Sequence, residues 1–268
     1  MAENQAALDR RIAVHRDDNG VVTVTIDRPE KKNALTFDMW RALAEAILAY
    51  GGDTATRAIV LRGAGRDFSA GADIGEFSEL RGDAATARRY EAANSAAFAA
   101  IRNAHVPTIA AISGICFGGG LGIAAACDIR IATEDALFCV PAARLGLAYP
   151  VDAMQDIVHS AGIQMARYLA YSTDRLGAVD AKRAGFLLET VGDLAQLEAR
   201  AAEIAGNIAR NAPLSVRASK AAIRAVLSRE PADVEQALEL GNLTFGSDDY
   251  REGREAFRQK RPPRFEGR

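Results

Sequence analysis

The chain has 268 residues, 49% of them apolar and 25% charged, with a formal net charge of −2. That length suits one large domain, or one domain with an appendage, around a real core. The balanced charge gives no electrostatic case for nucleic acid, no apolar run approaches the ~18 residues of a membrane span, and MAENQAALDRR has no apolar stretch of a signal peptide, so the expected location is the cytoplasm.

Taken in chain order, VVTVTID (Val21–Asp27) alternates with period two, so that Val22, Val24 and Ile26 share one face of a strand. The basic loop RPEKKNAL follows. Thr36 then caps a helix running to about Tyr50, where YGGD ends it. RAIVLRG reads as a second, buried strand that runs into the loop AGRDFSAGADIGEF. An alanine-rich helix covers roughly Ala84 to Asn103. Pro107 opens the strand TIAAISG, and FGGGLGIAAACD carries three glycines straight into another helix. DIRIATE and ALFCVP are further strands. Beyond about Val151 helical patterns dominate: 152–161, 164–171, 178–184, 193–211, 213–228, 233–245 and 248–258, with one short strand near Leu187–Val191. Strand, glycine loop and helix therefore recur irregularly over the first two-thirds, too irregularly for a simple solenoid. The last third is a helical appendage, joined without a serine- or proline-rich linker.

The three cysteines, Cys116, Cys127 and Cys139, form no CxxC pair and lie in apolar segments, as expected of buried free thiols. His15, His105 and His159 show no ligand spacing, so no metal site is expected.

Two glycine loops carry the chemistry. The triglycine is not a dinucleotide fingerprint, because Ile123 stands at the third glycine position, and it lacks the GK[ST] of a P-loop. It is either a tight helix-on-sheet contact or an anion site built from backbone N–H groups at a helix start. FSAGADIGEF presents a second set of amides at the end of another buried strand. Together the two loops can form a two-donor oxyanion hole for charge developing on a carbonyl oxygen.

The pieces DRPEKKNAL, FSAGADI, GICFGGGLGIAAACDIRIA, ARLGL and SDDYREGREAFRQKRPPRF span nearly the whole chain. In this order they resemble the crotonase superfamily, which includes enoyl-CoA hydratases and isomerases of fatty acid metabolism. The resemblance implies an α/β fold: a right-handed spiral of ββα turns over residues 1–195, then a helical oligomerisation region over 196–268 that makes trimers, often stacked as hexamers. It implies an acyl-CoA substrate whose thioester oxygen sits between the backbone N–H groups of Ala72 and Gly119. Ala70, Asp73, Ile74 and Gly75 would line the CoA path, Lys31, Lys32 and Ala34 would meet its adenosine end, and Lys260 would reach its phosphates, in some relatives from a neighbouring subunit. CoA belongs to the substrate, and no further cofactor is implied.

Hydratases of the superfamily use two glutamates, at the positions held here by Gly122 and Ala142. Neither a hydrogen nor a methyl group transfers protons. Other candidates are Tyr149, which matches a tyrosine of methylmalonyl-CoA decarboxylases, and Asp152, which would otherwise cap the following helix. Glu76 and Glu79 are candidates for the acyl pocket. Decarboxylation needs no base, only an oxyanion hole and a group to orient the carboxylate. The reading is therefore an acyl-CoA lyase working through an enolate, either decarboxylase-like or an atypical hydratase. The alternative is a non-catalytic acyl-CoA carrier of the same fold. A serine peptidase on this spiral would need a histidine that the site loops lack.

Overall fold

The structure, a computed structural model, describes residues 9–77 and 82–268. Nine strands form two sheets among these residues. The larger is built from β1 (Ile12–Arg16), β2 (Val21–Ile26), β3 (Ala58–Gly63), β4 (Thr108–Ile112), β6 (Ile129–Thr133) and β9 (Glu189–Val191). It is parallel except for the β1–β2 edge. The smaller holds β5 (Ile115–Phe117), β7 (Leu137–Cys139) and β8 (Leu176–Gly177). Successive turns of the chain give one segment to each sheet: β4 then β5, β6 then β7, and β3 followed by a bridge from Ser69 to Cys116. This is the spiral that the sequence motifs imply.

Helices fill the turns. α1 (Phe37–Gly51) starts at Thr36, whose side chain accepts from the Met39 N–H. Its inward residues Trp40, Leu43 and Ile47 are fully buried, each contributing on the order of 1.5–3 kcal/mol of apolar burial. α2 (Ala84–Asn103) opens with a capping box between Asp83 and Thr86. α3 (Gly119–Ala126) is almost wholly buried. The alternation in β2 sends Val22, Val24 and Ile26 into the main core with these helices, while Val21 faces a second layer. There α6 (Leu194–Ala209) lays Leu197, Ala201, Ile204 and Ala205 across Val60, Ile109 and Ile131.

α4 (Val151–Ser172) is broken at Gly162, where φ is 78° and ψ 158°; the two segments expected from sequence meet at this kink. Its N-cap is Pro150, so Asp152 sits in the first turn instead of capping, still well placed against the helix dipole. α5 (Ala178–Arg183) leads into β9. α7 (Pro213–Ser228), α8 (Pro231–Phe245) and α9 (Asp248–Gln259) complete the chain. α8 begins at Pro231, a first-turn proline, two residues before the expected start. Three strands escaped the sequence reading: β1, whose alternation buries only Ile12 fully, and the very short β5 and β8.

Candidate functional site

The site is assembled from three loops stitched together by backbone bonds. Asn33 is fully buried with φ 55°. Its amide donates to the carbonyls of Ala64 (2.9 Å) and Asp67 (2.5 Å), and its own carbonyl accepts from the Ser69 hydroxyl at 2.8 Å. The loop after β2 is thereby fixed to the loop after β3. The Ala70 N–H donates to Lys32 O, Leu35 N–H to Gly71 O, and Asp73 N–H to Leu35 O, at 2.8–2.9 Å. Because Gly71 and Asp73 spend these groups on Leu35, the N–H of Ala72 between them points the other way, as alternation along an extended chain requires. It has no acceptor among the described residues.

Gly71 takes φ 90°, and a Cβ there would lie 2.7 Å from Gly119 N. Only glycine lets the two loops approach so closely. Gly119 is the first residue of α3, and its N–H is likewise without an acceptor among the described residues. A Cβ on Gly119 would sit 3.6 Å from Ala72 N and 2.7 Å from the buried Trp40 ring. Two free N–H groups thus stand side by side, one at a helix N-terminus, on the wall of a cavity of about 130 Å³.

Tyr149 forms another part of that wall. Its hydroxyl donates to Gly118 O at 2.8 Å. Gly118 O and Gly119 N–H belong to one peptide group, so the phenol anchors the far end of the amide that faces the cavity. Burial pushes the phenol's pKa well up, with the nearby Cys116, Asp156 and Asp152 adding to the effect. It is a neutral donor at physiological pH. Gly122 lies directly behind: a Cβ there would meet the Phe98 ring at 2.7 and 2.8 Å and the Tyr149 hydroxyl at 2.9 Å. Phenol and phenyl ring fill the space that a longer residue at 122 would need.

The other expected residues separate into those that line the cavity and those that do not. Ala70, Ile74 and Ala142 line it. Ala34 is buried, and Lys31 and Lys32 are exposed, all three outside the lining. Asp73 turns to Arg28, accepting at 2.7 Å, and also accepts from the Gly75 N–H at 2.9 Å. Burial would raise the Asp73 carboxyl, but these bonds and the guanidinium charge outweigh it and hold the group below its usual range. Lys260 ends α9 with φ 55° and is exposed. Asp152 is not part of the lining: it accepts from Ser95 at 3.3 Å and faces Arg102 at 4.0 Å, beside the tighter Arg102–Asp156 pair. Glu76 accepts from the Phe37 N–H at 2.8 Å, burial raising its pKa, and is also outside the lining. Glu79 lies outside the described residues.

The sequence reading did not single out Glu91, Asn94 and Phe98, which bring one face of α2 to the cavity. Their spacing of three and four is the available signal, together with a polar asparagine among alanines. The three cysteines are buried and unpaired, and burial raises the Cys127 thiol to about 12, so they are inert. Among the described residues no cluster of His, Cys, Asp and Glu is placed to hold a metal ion, and no helix is long and apolar enough to cross a membrane.

A doubly layered spiral with paired glycine loops over a small cavity defines a class, and comparison with known proteins gives the family. Residues 16–268 match the family described as enoyl-CoA hydratase/isomerase. The chain is 34% identical to a short-chain-enoyl-CoA hydratase of Clostridium acetobutylicum, over 90% of this chain and 92% of that one. It is 31% identical to a peroxisomal Δ(3,5)-Δ(2,4)-dienoyl-CoA isomerase of Arabidopsis thaliana, over 92% and 93%. A crystal structure of an enoyl-CoA hydratase/carnithine racemase from Magnetospirillum magneticum superposes with a TM-score of 0.90 at 35% identity, covering 96% of each chain. The chain belongs to the enoyl-CoA hydratase/isomerase family, whose members are enzymes acting on acyl-CoA.

Proposed function

We propose that this protein is an acyl-CoA lyase that forms an enolate without an acid–base pair, in the manner of a decarboxylase. The thioester oxygen accepts from Ala72 and Gly119 N–H. In the reaction the bond from Cα to the carboxylate carbon breaks, its electron pair passes into the thioester as an enolate, and carbon dioxide leaves. The two donors and the helix N-terminus stabilise the enolate oxygen. Cα then takes a proton from water. The observation that carries this reading is the wall around Gly122. Tyr149 and Phe98 stand there, Ala142 lines the same cavity, and none of them accepts a proton at neutral pH. Among the described residues the carboxylate that lines the cavity is Glu91, which is exposed. Tyr149 holds the Gly118–Gly119 peptide, and turning about its C–O bond re-aims its proton at a substrate carboxylate.

The binding path would run past Ala70, Ile74 and Gly75 to Lys31 and Lys32. Lys260 would come from a neighbouring copy, and CoA itself would supply all the non-protein chemistry. Trimers or hexamers suit the apolar side chains left in water on the last helices: Val226, Leu238, Leu243, Phe245 and Phe257 are 61–87% exposed. A cytoplasmic location goes with this reading.

The test offers methylmalonyl-CoA and crotonyl-CoA separately, follows their masses, and runs Tyr149→Phe in parallel. Loss of carbon dioxide from the first, abolished or strongly reduced in the variant, is the expected result. Water addition to crotonyl-CoA would overturn the decarboxylase reading and direct attention to Glu91 as a proton carrier. Tight binding with no change of mass on either would favour the carrier.

A further inference from the structure

We infer that Trp40 is a positioning residue for the oxyanion hole: the edge of its indole backs Gly119 and so aims the Gly119 N–H at the thioester oxygen. The inference rests on the acyl-CoA reading above and deepens it by naming a residue outside the cavity on which that site depends. Trp40 is fully buried in α1 and is not part of the cavity lining. It therefore acts through the backbone and not on the substrate.

The need for a support comes from the peptide itself. The Gly118–Gly119 peptide joins two residues without Cβ atoms, so backbone sterics restrict its plane less than between other residues. Gly118 has φ 50° and ψ −121°, a conformation that glycine adopts readily and other residues do not. Contacts from outside must hold the plane. At the carbonyl end, Gly118 O accepts from the Tyr149 hydroxyl at 2.8 Å and from the Gly122 N–H at 3.1 Å. At the other end, Gly119 packs on the outer edge of the indole: a Cβ there would lie 2.7 Å from Cζ2 and 2.8 Å from Cη2 of Trp40. The indole is held in turn. It meets the Phe98 ring edge-on at 5.6 Å, and its backbone N–H donates to Thr36 O in the capped first turn of α1. A phenylalanine at 40 would bury no indole N–H, which is unpaired here among the described residues, but it would lack the outer ring atoms that reach Gly119. The worth of an oxyanion donor lies in its being aimed before the charge develops. A misplacement of about 1 Å caused far from the reacting atoms can cost about a hundredfold in rate.

The experiment records the infrared carbonyl band of butyryl-CoA, isotopically labelled at the thioester carbon, free and bound to the wild type, Trp40→Phe and Ile47→Ala, with Kd and Tm for each. Donors fixed on the oxygen lower the band, and the wild type is expected to lower it on binding. Trp40→Phe is expected to return the band about halfway or more to its free position and to broaden it. Its Kd should change by less than about threefold, because the CoA portion supplies binding away from the hole. Ile47 is equally buried, about 10 Å further along α1; Ile47→Ala should lower Tm and leave the band in place, whereas a merely structural role would move both variants alike. Gly119→Ala reaches the same contact from the other side and decides the case even if Trp40→Phe does not fold. Its methyl must push off the indole, so the band should again move toward the free position, and Trp40→Phe should partly restore it in the double variant. A wild-type band in Trp40→Phe or in Gly119→Ala, or a band moved as far by Ile47→Ala, would overturn the role of Trp40 alone. A wild-type complex with the band of the free thioester would overturn the oxyanion hole, and no binding of butyryl-CoA would overturn the acyl-CoA reading itself.

Discussion

Gly122→Ala adds a single methyl group, yet the structure predicts that it destabilises the fold. The new Cβ would fall 2.7 and 2.8 Å from two atoms of the Phe98 ring and 2.9 Å from the Tyr149 hydroxyl, where about 3.5–4 Å is the comfortable separation of carbon atoms. Phe98 has little room to retreat, because its ring packs edge-on against Trp40 at 5.6 Å, and Trp40 is itself fully buried. Overpacking of this kind costs about 1–3 kcal/mol, while replacing glycine by alanine in a helix returns about 1 kcal/mol. With two neighbours struck at once, a net loss of about 2 kcal/mol is expected, or roughly 4–8 °C in Tm for a chain of this size. Gly241→Ala in α8 is the control: nothing lies within 4 Å of its Cβ, so it should gain up to about 1 kcal/mol. Calorimetry on both variants, repeated in a Phe98→Leu background, separates the clash from the helix effect. The Gly122→Ala penalty should largely vanish once Phe98 is shortened, as residues in direct contact couple. A Gly122→Ala protein as stable as the wild type, with no coupling to Phe98, would refute the packing argument. By the same reasoning Gly122→Glu alone should not create a hydratase, because the carboxylate would have to displace the groups already there.

Three further outcomes are expected. Burial keeps the Tyr149 phenol protonated, so turnover should show no alkaline limb from it below pH ~10; a limb near pH 8–9 that disappears in Tyr149→Phe would show a phenolate instead. Arg28→Ala should cost about 1.5–3 kcal/mol at pH 7, since it removes charge-assisted bonds to Asp73 and Ala34. The Asp73 carboxyl is held below its usual range, so the stability it contributes is present above its unfolded pKa near ~4 and is lost as pH falls through the lower folded value; an equal Tm loss at pH 7 and well below pH 4 would contradict this. Leu238→Lys with Phe245→Lys should shift sedimentation toward the monomer if α8 meets other copies, and an unchanged assembly would place the interface elsewhere.

The parts of the fold legible in the sequence are those fixed by local physics. Thr36 before an apolar periodic stretch starts α1 where capping chemistry says it should. The alternation of β2 gives its buried face correctly because that face meets a continuous core. The strand β1 was missed because it is an edge strand with little buried on either face, and β5 and β8 because two or three residues hold too little pattern to read. The glycine loops were legible as a pair, since Gly71 and Gly119 are needed for backbone contact, and such contact leaves a visible mark in sequence.

The side-chain part of the site was less legible, for a different reason. Asp152 and Tyr149 lie three residues apart and look alike as candidates, but the turn from Tyr149 through Pro150 into α4 sends them to different surroundings. One reaches Gly118, and the other reaches Ser95 and Arg102. Asn94 lies far along the chain from both glycine loops and meets them only because α2 packs between α1 and α4, with Phe98 set against Trp40.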